Sequence, residues 1–217
     1  MKKLAIFDLD GTLLNTIFDL AQSTNHALSL LGYPTHTPEA YKRMVGGGIS
    51  KLIYRALPAE EKTEANVARA RSLFLPHYDV HNADMSRPYD GMCELLTQLH
   101  EAGVLLAVAS NKYQKATDKL VRHYFGHVPF VAVLGQREGV NVKPDPIIVD
   151  DILACAPGIE RDEVLYIGDS GVDMQTAINA GVDACAVTWG FRPRTELEPY
   201  HPPYIVDSPQ EIRALFP

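Results

Sequence analysis

Leu4-Ala5-Ile6-Phe7-Asp8-Leu9-Asp10-Gly11-Thr12 joins a short apolar run to two carboxylates set two positions apart. Four consecutive apolar residues suit a strand covered on both faces, and Asp8 marks where that strand leaves the core. Alternate residues of a strand point the same way, so Asp8 and Asp10 can face one pocket. Two anions so placed repel each other, and unless a cation sits with them at least one carboxyl has a raised pKa. The arrangement predicts a hard metal ion, Mg2+, and a carboxylate able to attack an electrophile.

Working outward, similar apolar runs recur at 104–109, 131–134, 164–167 and 184–187, with helical patterns between them. Buried strands joined by helices imply parallel crossovers, and the expected fold class is α/β with a doubly wound parallel sheet. Ligands of such sheets bind at the carboxyl ends of the strands. Residues 17–83 break the alternation, because they carry helical periodicities and no convincing strand. The expected domains are therefore a core of residues 1–15 and 86–217 and an all-helical insert of residues 16–85.

Within the insert, helices are predicted over 18–31, after Pro38, over 49–57 behind Gly46-Gly47-Gly48, and over 60–75. Thr16 or Asn15 can cap the first, and Gly32 stops it. Arg87-Pro88-Tyr89-Asp90-Gly91 reads as the return into the core. Near the end, Tyr204-Ile205-Val206 suits an edge strand, and Ser208-Pro209-Gln210-Glu211 has the form of a capping box with Pro at the first helical position.

The 217 residues carry a formal charge of −7 and are 46% hydrophobic, ample for a packed interior. Net negative charge without a Lys or Arg run speaks against nucleic acid or an anionic membrane as partner. Cys93, Cys155 and Cys185 are odd in number and lack zinc-site spacing, which suits free thiols in a reducing compartment. Asp8 interrupts the first apolar run too soon for a signal peptide, and no segment approaches the length that crosses a bilayer. The expectation is a soluble cytoplasmic protein, a monomer or homodimer.

Four polar groups fall at predicted strand ends: Asp8 with Asp10, Ser110-Asn111, Lys143-Pro144 in a constrained loop, and Gly168-Asp169-Ser170 with Asp173. A transferring phosphoryl group spreads charge over three oxygens and calls for a metal, an ammonium and fixed hydrogen-bond donors. Asp8 suits the nucleophile, and Asp10, held partly protonated by acidic neighbours, suits the general acid and base. Ser110, the amide of Asn111, Lys143 and the Gly11-Thr12 turn can hold phosphoryl oxygens. Asp8, Asp169 and the backbone carbonyl of Asp10 can hold Mg2+. Ser170 and Asp173 flank that site, and Asp173 more naturally orients a metal-bound water or Lys143 than binds the ion.

This motif set resembles the haloacid dehalogenase-like superfamily of phosphohydrolases over essentially the whole chain. The resemblance implies an Mg2+-dependent aspartyl-phosphate mechanism, a Rossmann-like core and a helical cap inserted after the first motif. Residues 19–32 and Val187-Thr188-Trp189-Gly190 are most similar to its phosphoglycolate phosphatase branch, although Asn15 stands where that branch commonly has Asp. The resemblance thus implies a small phosphorylated metabolite as partner, and 2-phosphoglycolate as the expected substrate. A pyrophosphatase and a β-phosphoglucomutase-like phosphomutase are the enzymatic alternatives, and the mutase branch's cap His and Leu-Lys-Gly-Val-Ser-Arg loop have no counterpart here. A noncatalytic phospho-ligand sensor is the remaining one, set aside because every motif residue is present. Gly46, Gly47 and Gly48 can present backbone N–H groups to a substrate carboxylate or second phosphate, or can simply permit a tight turn. Lys42, Arg43, Lys51 and Arg55 lie around them and can add charge or remain solvated.

Overall fold

The computed structural model describes residues 1–217. Its main sheet has six parallel strands in the order β5-β4-β1-β6-β7-β8. These are β1 (Leu4–Phe7), β4 (Leu105–Tyr113), β5 (Phe130–Gln136), β6 (Val164–Gly168), β7 (Asp183–Val187) and β8 (Tyr204–Val206). The chain builds outward from β1 to one edge through β4 and β5, then returns beside β1 and builds to the other edge. β1 therefore sits at the topological switch point, where parallel sheets open a crevice.

Successive residues of β1 explain its unbroken apolar run. Ala5 and Phe7 enter a core under α5 (Met92–Glu101), α6 (Gln114–Phe125) and α10 (Pro209–Arg213). Leu4 and Ile6 enter a second core under α7 (Ile147–Ala154), α8 (Gly171–Ala180) and α9 (Arg194–Leu197). With helices on both faces, no β1 position meets water, and polar alternation is lost.

Between the paired short strands β2 (Leu14–Asn15) and β3 (Arg87–Pro88) lie four helices: α1 (Ile17–Leu30), α2 (Pro38–Lys42), α3 (Ile49–Ala56) and α4 (Glu64–His81). The β2–β3 pair is antiparallel, so the segments leaving and re-entering the sheet layer are bonded side by side. Ile17, Leu20, Ala21, Ala27 and Leu28 form the buried stripe of α1 and join a third core with Tyr41, Leu52, Ile53, Phe74 and Tyr78. Ala116 and Phe191, from the sheet layer, complete that core, so the helical insert packs directly on the strand ends.

Several local expectations are corrected. The last insert helix, expected to stop at 75, continues through Pro76 to His81. Proline removes one ladder donor, but Phe74 and Tyr78 are fully buried on either side of it, and that packing outweighs the lost bond. Thr16 precedes α1 without capping it, because its hydroxyl is committed to Asp10 at 2.6 Å. The Ser208 capping box does not close either: its hydroxyl binds the Glu211 carboxylate at 2.9 Å rather than a backbone N–H. β4 runs four residues past its predicted end, so Ser110 and Asn111 lie within the strand rather than just beyond it.

Candidate active site

Register brings the motifs together. Phe7 pairs with Val108 on one side and Ile167 on the other, so Asp8, Ala109 and Gly168 stand level at the carboxyl edge of three adjacent strands. The Asp8 N–H extends this ladder to the Ile167 carbonyl at 2.9 Å. Asp8, Asp10, Ser110, Asn111, Lys143, Asp169, Ser170 and Asp173 then line one pocket, whose remaining wall includes Val45, Gly46 and Gly48 of the insert.

Lys143 organises the pocket floor. Its ammonium donates to Asp8 Oδ1 at 2.9 Å, Asp173 Oδ1 at 2.7 Å and the Ala109 carbonyl at 2.8 Å, which uses all three of its hydrogens. Burial alone would lower its pKa, but Asp173 and Asp8 reverse this and hold it well above the ordinary lysine value. Its backbone is fixed by Asn111, whose Oδ1 accepts the Lys143 N–H at 2.8 Å and whose Nδ2 donates to the Lys143 carbonyl at 3.1 Å. The same Nδ2 reaches the Gly46 carbonyl of the insert at 2.9 Å. The Asn111 side chain thus braces the lysine loop and the insert, and its amide is already engaged.

Asp8, Asp169 and Asp173 converge so that one carboxylate oxygen from each lies within 4.8 Å of the others. Burial, then the Asp173 charge, push Asp8 up to about 7 against the pull of Lys143. Asp169 is driven well above the carboxylate range, first by burial and then by Asp173 and Asp8, although the Phe191 N–H opposes this from 2.6 Å. Two glycines make room for it. A Cβ on Gly11 would stand 2.3 Å from Asp169 Oδ2, and one on Gly190 would stand 2.2 Å from the Asp169 Cβ. Gly11 also has φ of +91°, which most side chains resist. Thr12, fully buried, turns its hydroxyl toward Asp169 Oδ1 at 3.5 Å.

Asp173 helps cap the helix that carries it. Ser170 Oγ accepts the Asp173 N–H while Asp173 Oδ2 accepts from both Ser170 N–H and Oγ, a reciprocal box at the start of α8. Asp173 therefore fixes Lys143 with one oxygen and its own helix start with the other.

Asp10 departs from expectation. Acidic neighbours were expected beside it, yet its oxygens meet a cation and a hydroxyl: Lys112 Nζ at 3.0 Å and Thr16 Oγ1 at 2.6 Å. Its carboxylate lines the same pocket but stands outside the group that Asp8, Asp169 and Asp173 form. Lys112, absent from the sequence reading, is buried and also donates to Tyr78 OH on α4 at 2.7 Å. No sequence signal marked it, because the apolar run that predicts this strand ends at 109 and Lys112 lies beyond it. Arg192 also lines the pocket, donating to the Lys42 and Val45 carbonyls, and nothing in the sequence distinguished it from a surface arginine.

The glycine loop divides. Gly46 and Gly48 line the pocket, whereas Gly47 faces the Lys51 stem. Arg55 is occupied by the Met44 carbonyl and Lys42 by Glu39, and of the four basic residues around the loop none reaches the pocket wall.

A parallel sheet with a buried lysine–carboxylate cluster at its switch point defines an α/β enzyme built to handle an anionic group. Residues 5–187 match the family model of the haloacid dehalogenase-like hydrolases, and the chain belongs to that family. It is a phosphomonoester hydrolase. Among its relatives, the phosphoglycolate phosphatase of Mesorhizobium japonicum is 35% identical over 202 residues, covering 91% of this chain and 88% of the relative. That of Vibrio parahaemolyticus is 32% identical over 215 residues, covering 97% and 94%. A solved candidate phosphoglycolate phosphatase from Lactobacillus delbrueckii subsp. bulgaricus superposes with a TM-score of 0.92 at 34% identity, covering 100% of this chain and 99% of that one. No helix of the chain is long and apolar enough to cross a membrane.

Proposed function

We propose that this phosphatase hydrolyses 2-phosphoglycolate with Mg2+ through an aspartyl phosphate on Asp8. One observation carries the reading: a buried ammonium, Lys143, bridges Asp8 and Asp173 beside a third carboxylate, Asp169, all at the sheet's switch point. The named relatives support the choice of substrate.

The donor set fits Mg2+. Three buried carboxylates converge, two of them on one ammonium, and Gly11 and Gly190 clear space for Asp169 where any side chain would intrude. Hard oxygen donors in such a group suit a hard divalent cation. Asp8, Asp169 and the Asp10 carbonyl would hold the ion, which when bound offsets charge on the phosphoryl oxygens.

Asp8 attacks phosphorus as the bond to the leaving oxygen breaks, and Asp10 gives that oxygen its proton. Water then attacks the acyl phosphate while Asp10 takes a proton from it, which releases phosphate and restores Asp8. Lys143 screens the charge on Asp8 as the dianion approaches, and Ser110, whose hydroxyl accepts the Lys112 N–H at 3.2 Å, keeps its own hydrogen for a phosphoryl oxygen. Residues 16–85 serve as the cap over a core of 1–15 and 86–217, and a cytoplasmic location belongs to the same reading. kcat/KM measured for 2-phosphoglycolate, pyrophosphate and β-glucose 1-phosphate tests the reading. The first should dominate, and preference for either of the others overturns it.

A further inference from the structure

The pocket's three cations are not equally occupied. Lys143 has three acceptors for three hydrogens. Arg192 is spent on two insert carbonyls and Glu196. Lys112 has only the Asp10 carboxylate and the Tyr78 hydroxyl, so its third N–H meets no protein acceptor although the side chain is 2% exposed. A buried ammonium with a free donor is strongly disposed to take an anion. The surrounding wall favours that outcome, because Leu20, Leu52 and the Tyr78 ring, 4.7 Å from Nζ, line the same pocket and offer no competing acceptor besides the one tyrosine hydroxyl.

We propose that Lys112 determines specificity by receiving a carboxylate carried on the carbon next to the phosphoester oxygen. The inference rests on the phosphatase mechanism above, in which Asp10 serves that ester oxygen. Lys112 Nζ lies 3.0 Å from Asp10 Oδ2, so both groups address the same small volume. In a 2-phosphoryloxy carboxylate the ester and carboxylate oxygens are about 3 Å apart by ordinary bond lengths. A ligand that places one at Asp10 brings the other to Lys112. Ethyl phosphate has the same skeleton but ends in a methyl group, and it would leave the ammonium donor unpaired in a dry wall. Sites built to hydrogen-bond a substrate group discriminate strongly against analogues that lack it.

Steady-state kinetics of wild type and Lys112→Met with 2-phosphoglycolate and ethyl phosphate test the assignment, together with binding of both esters to the Asp8→Asn background by calorimetry. The expected result is a roughly 10- to 100-fold rise in KM and in dissociation constant for 2-phosphoglycolate, with values for ethyl phosphate moving less than about threefold. An equal fall in kcat for both esters, with their KM ratio preserved, would make Lys112 a positioning residue for Asp10 only and overturn the proposal. A wild-type enzyme indifferent between the two esters sinks the 2-phosphoglycolate reading itself. A wild-type preference that survives in Lys112→Met sinks this inference alone. Should Lys112→Met fail to fold, Tyr78→Phe carries the test by leaving the ammonium a second free donor: KM for 2-phosphoglycolate should fall selectively, and parallel or absent changes overturn the assignment.

Discussion

Asp8 differs from Asp10 in what surrounds it, and that difference separates their roles. Asp8 shares its ammonium with Asp173 and is buried, whereas Asp10 has a cation and a hydroxyl of its own. Asp8→Asn keeps the shape but loses the nucleophile, so turnover should drop by roughly 10³-fold or more while far-UV circular dichroism stays unchanged. Retention of most activity would move the nucleophile elsewhere. Gly190 offers a second residue-level test, because its Cβ would meet the Asp169 side chain, although its backbone is not of the left-handed kind. In Gly190→Ala the Mg2+ concentration for half-maximal activity should rise roughly 10- to 100-fold, as found when the surroundings of a ligand are disturbed. An unchanged Mg2+ titration would remove Asp169 from the metal site.

At the scale of elements, α1 is tied to the far end of the insert by one side chain. Asp19, fully buried in the first turn of α1, accepts the Met85 N–H at 2.9 Å, the Ser86 N–H at 2.8 Å and the Ser86 hydroxyl at 2.6 Å. These donors lie just before β3, so the carboxylate locks the return segment against the helix that leaves β2, and it also favours the helix dipole. Asp19→Ala would leave the buried Ser86 N–H without an acceptor and free the part-buried Met85 N–H, while the Ser86 hydroxyl keeps the Asn82 carbonyl at 3.0 Å, and it should cost about 1–3 kcal/mol in urea unfolding, with Asp19→Asn milder because one acceptor oxygen remains. A loss below about 0.5 kcal/mol would show that the clamp is not structural. The insert is joined to the sheet layer at other points as well: Tyr113 OH and Lys115 bind the Asp79 carboxylate, and Lys119 binds the Asp79 carbonyl.

For the whole molecule, the buried carboxylates couple stability to pH and to metal. Asp8 lies at about 7 in the folded chain against an ordinary 3.8, and Asp169 is also raised, so the folded state binds protons that the unfolded chain has released. Their stabilising contribution is complete below the unfolded value and is lost as pH climbs through the folded one. Metal-free Tm should therefore fall between about pH 5 and 8 by more in wild type than in Asp8→Asn, and Mg2+ should restore most at the upper end. Differential scanning calorimetry decides, and a wild-type fall no larger than that of Asp8→Asn would contradict the assigned burial.

The strands and their ends were legible in sequence because continuous apolar runs leave few alternatives once helices alternate with them. Leu4 to Asp8 announced both a strand covered on two faces and the carboxylate at its tip, and Lys143 and Asp169 followed from the chemistry a phosphoryl group demands. The partners of those residues were not legible. That Lys112 rather than another acid stands beside Asp10, that Asn111 spends its amide on Lys143 and Gly46, and that α4 runs on through Pro76 all depend on contacts between segments 30 or more residues apart or on burial under other helices. Local propensity fixes where backbone turns and strands begin, but a side chain's partner is chosen by packing, which only the folded chain specifies.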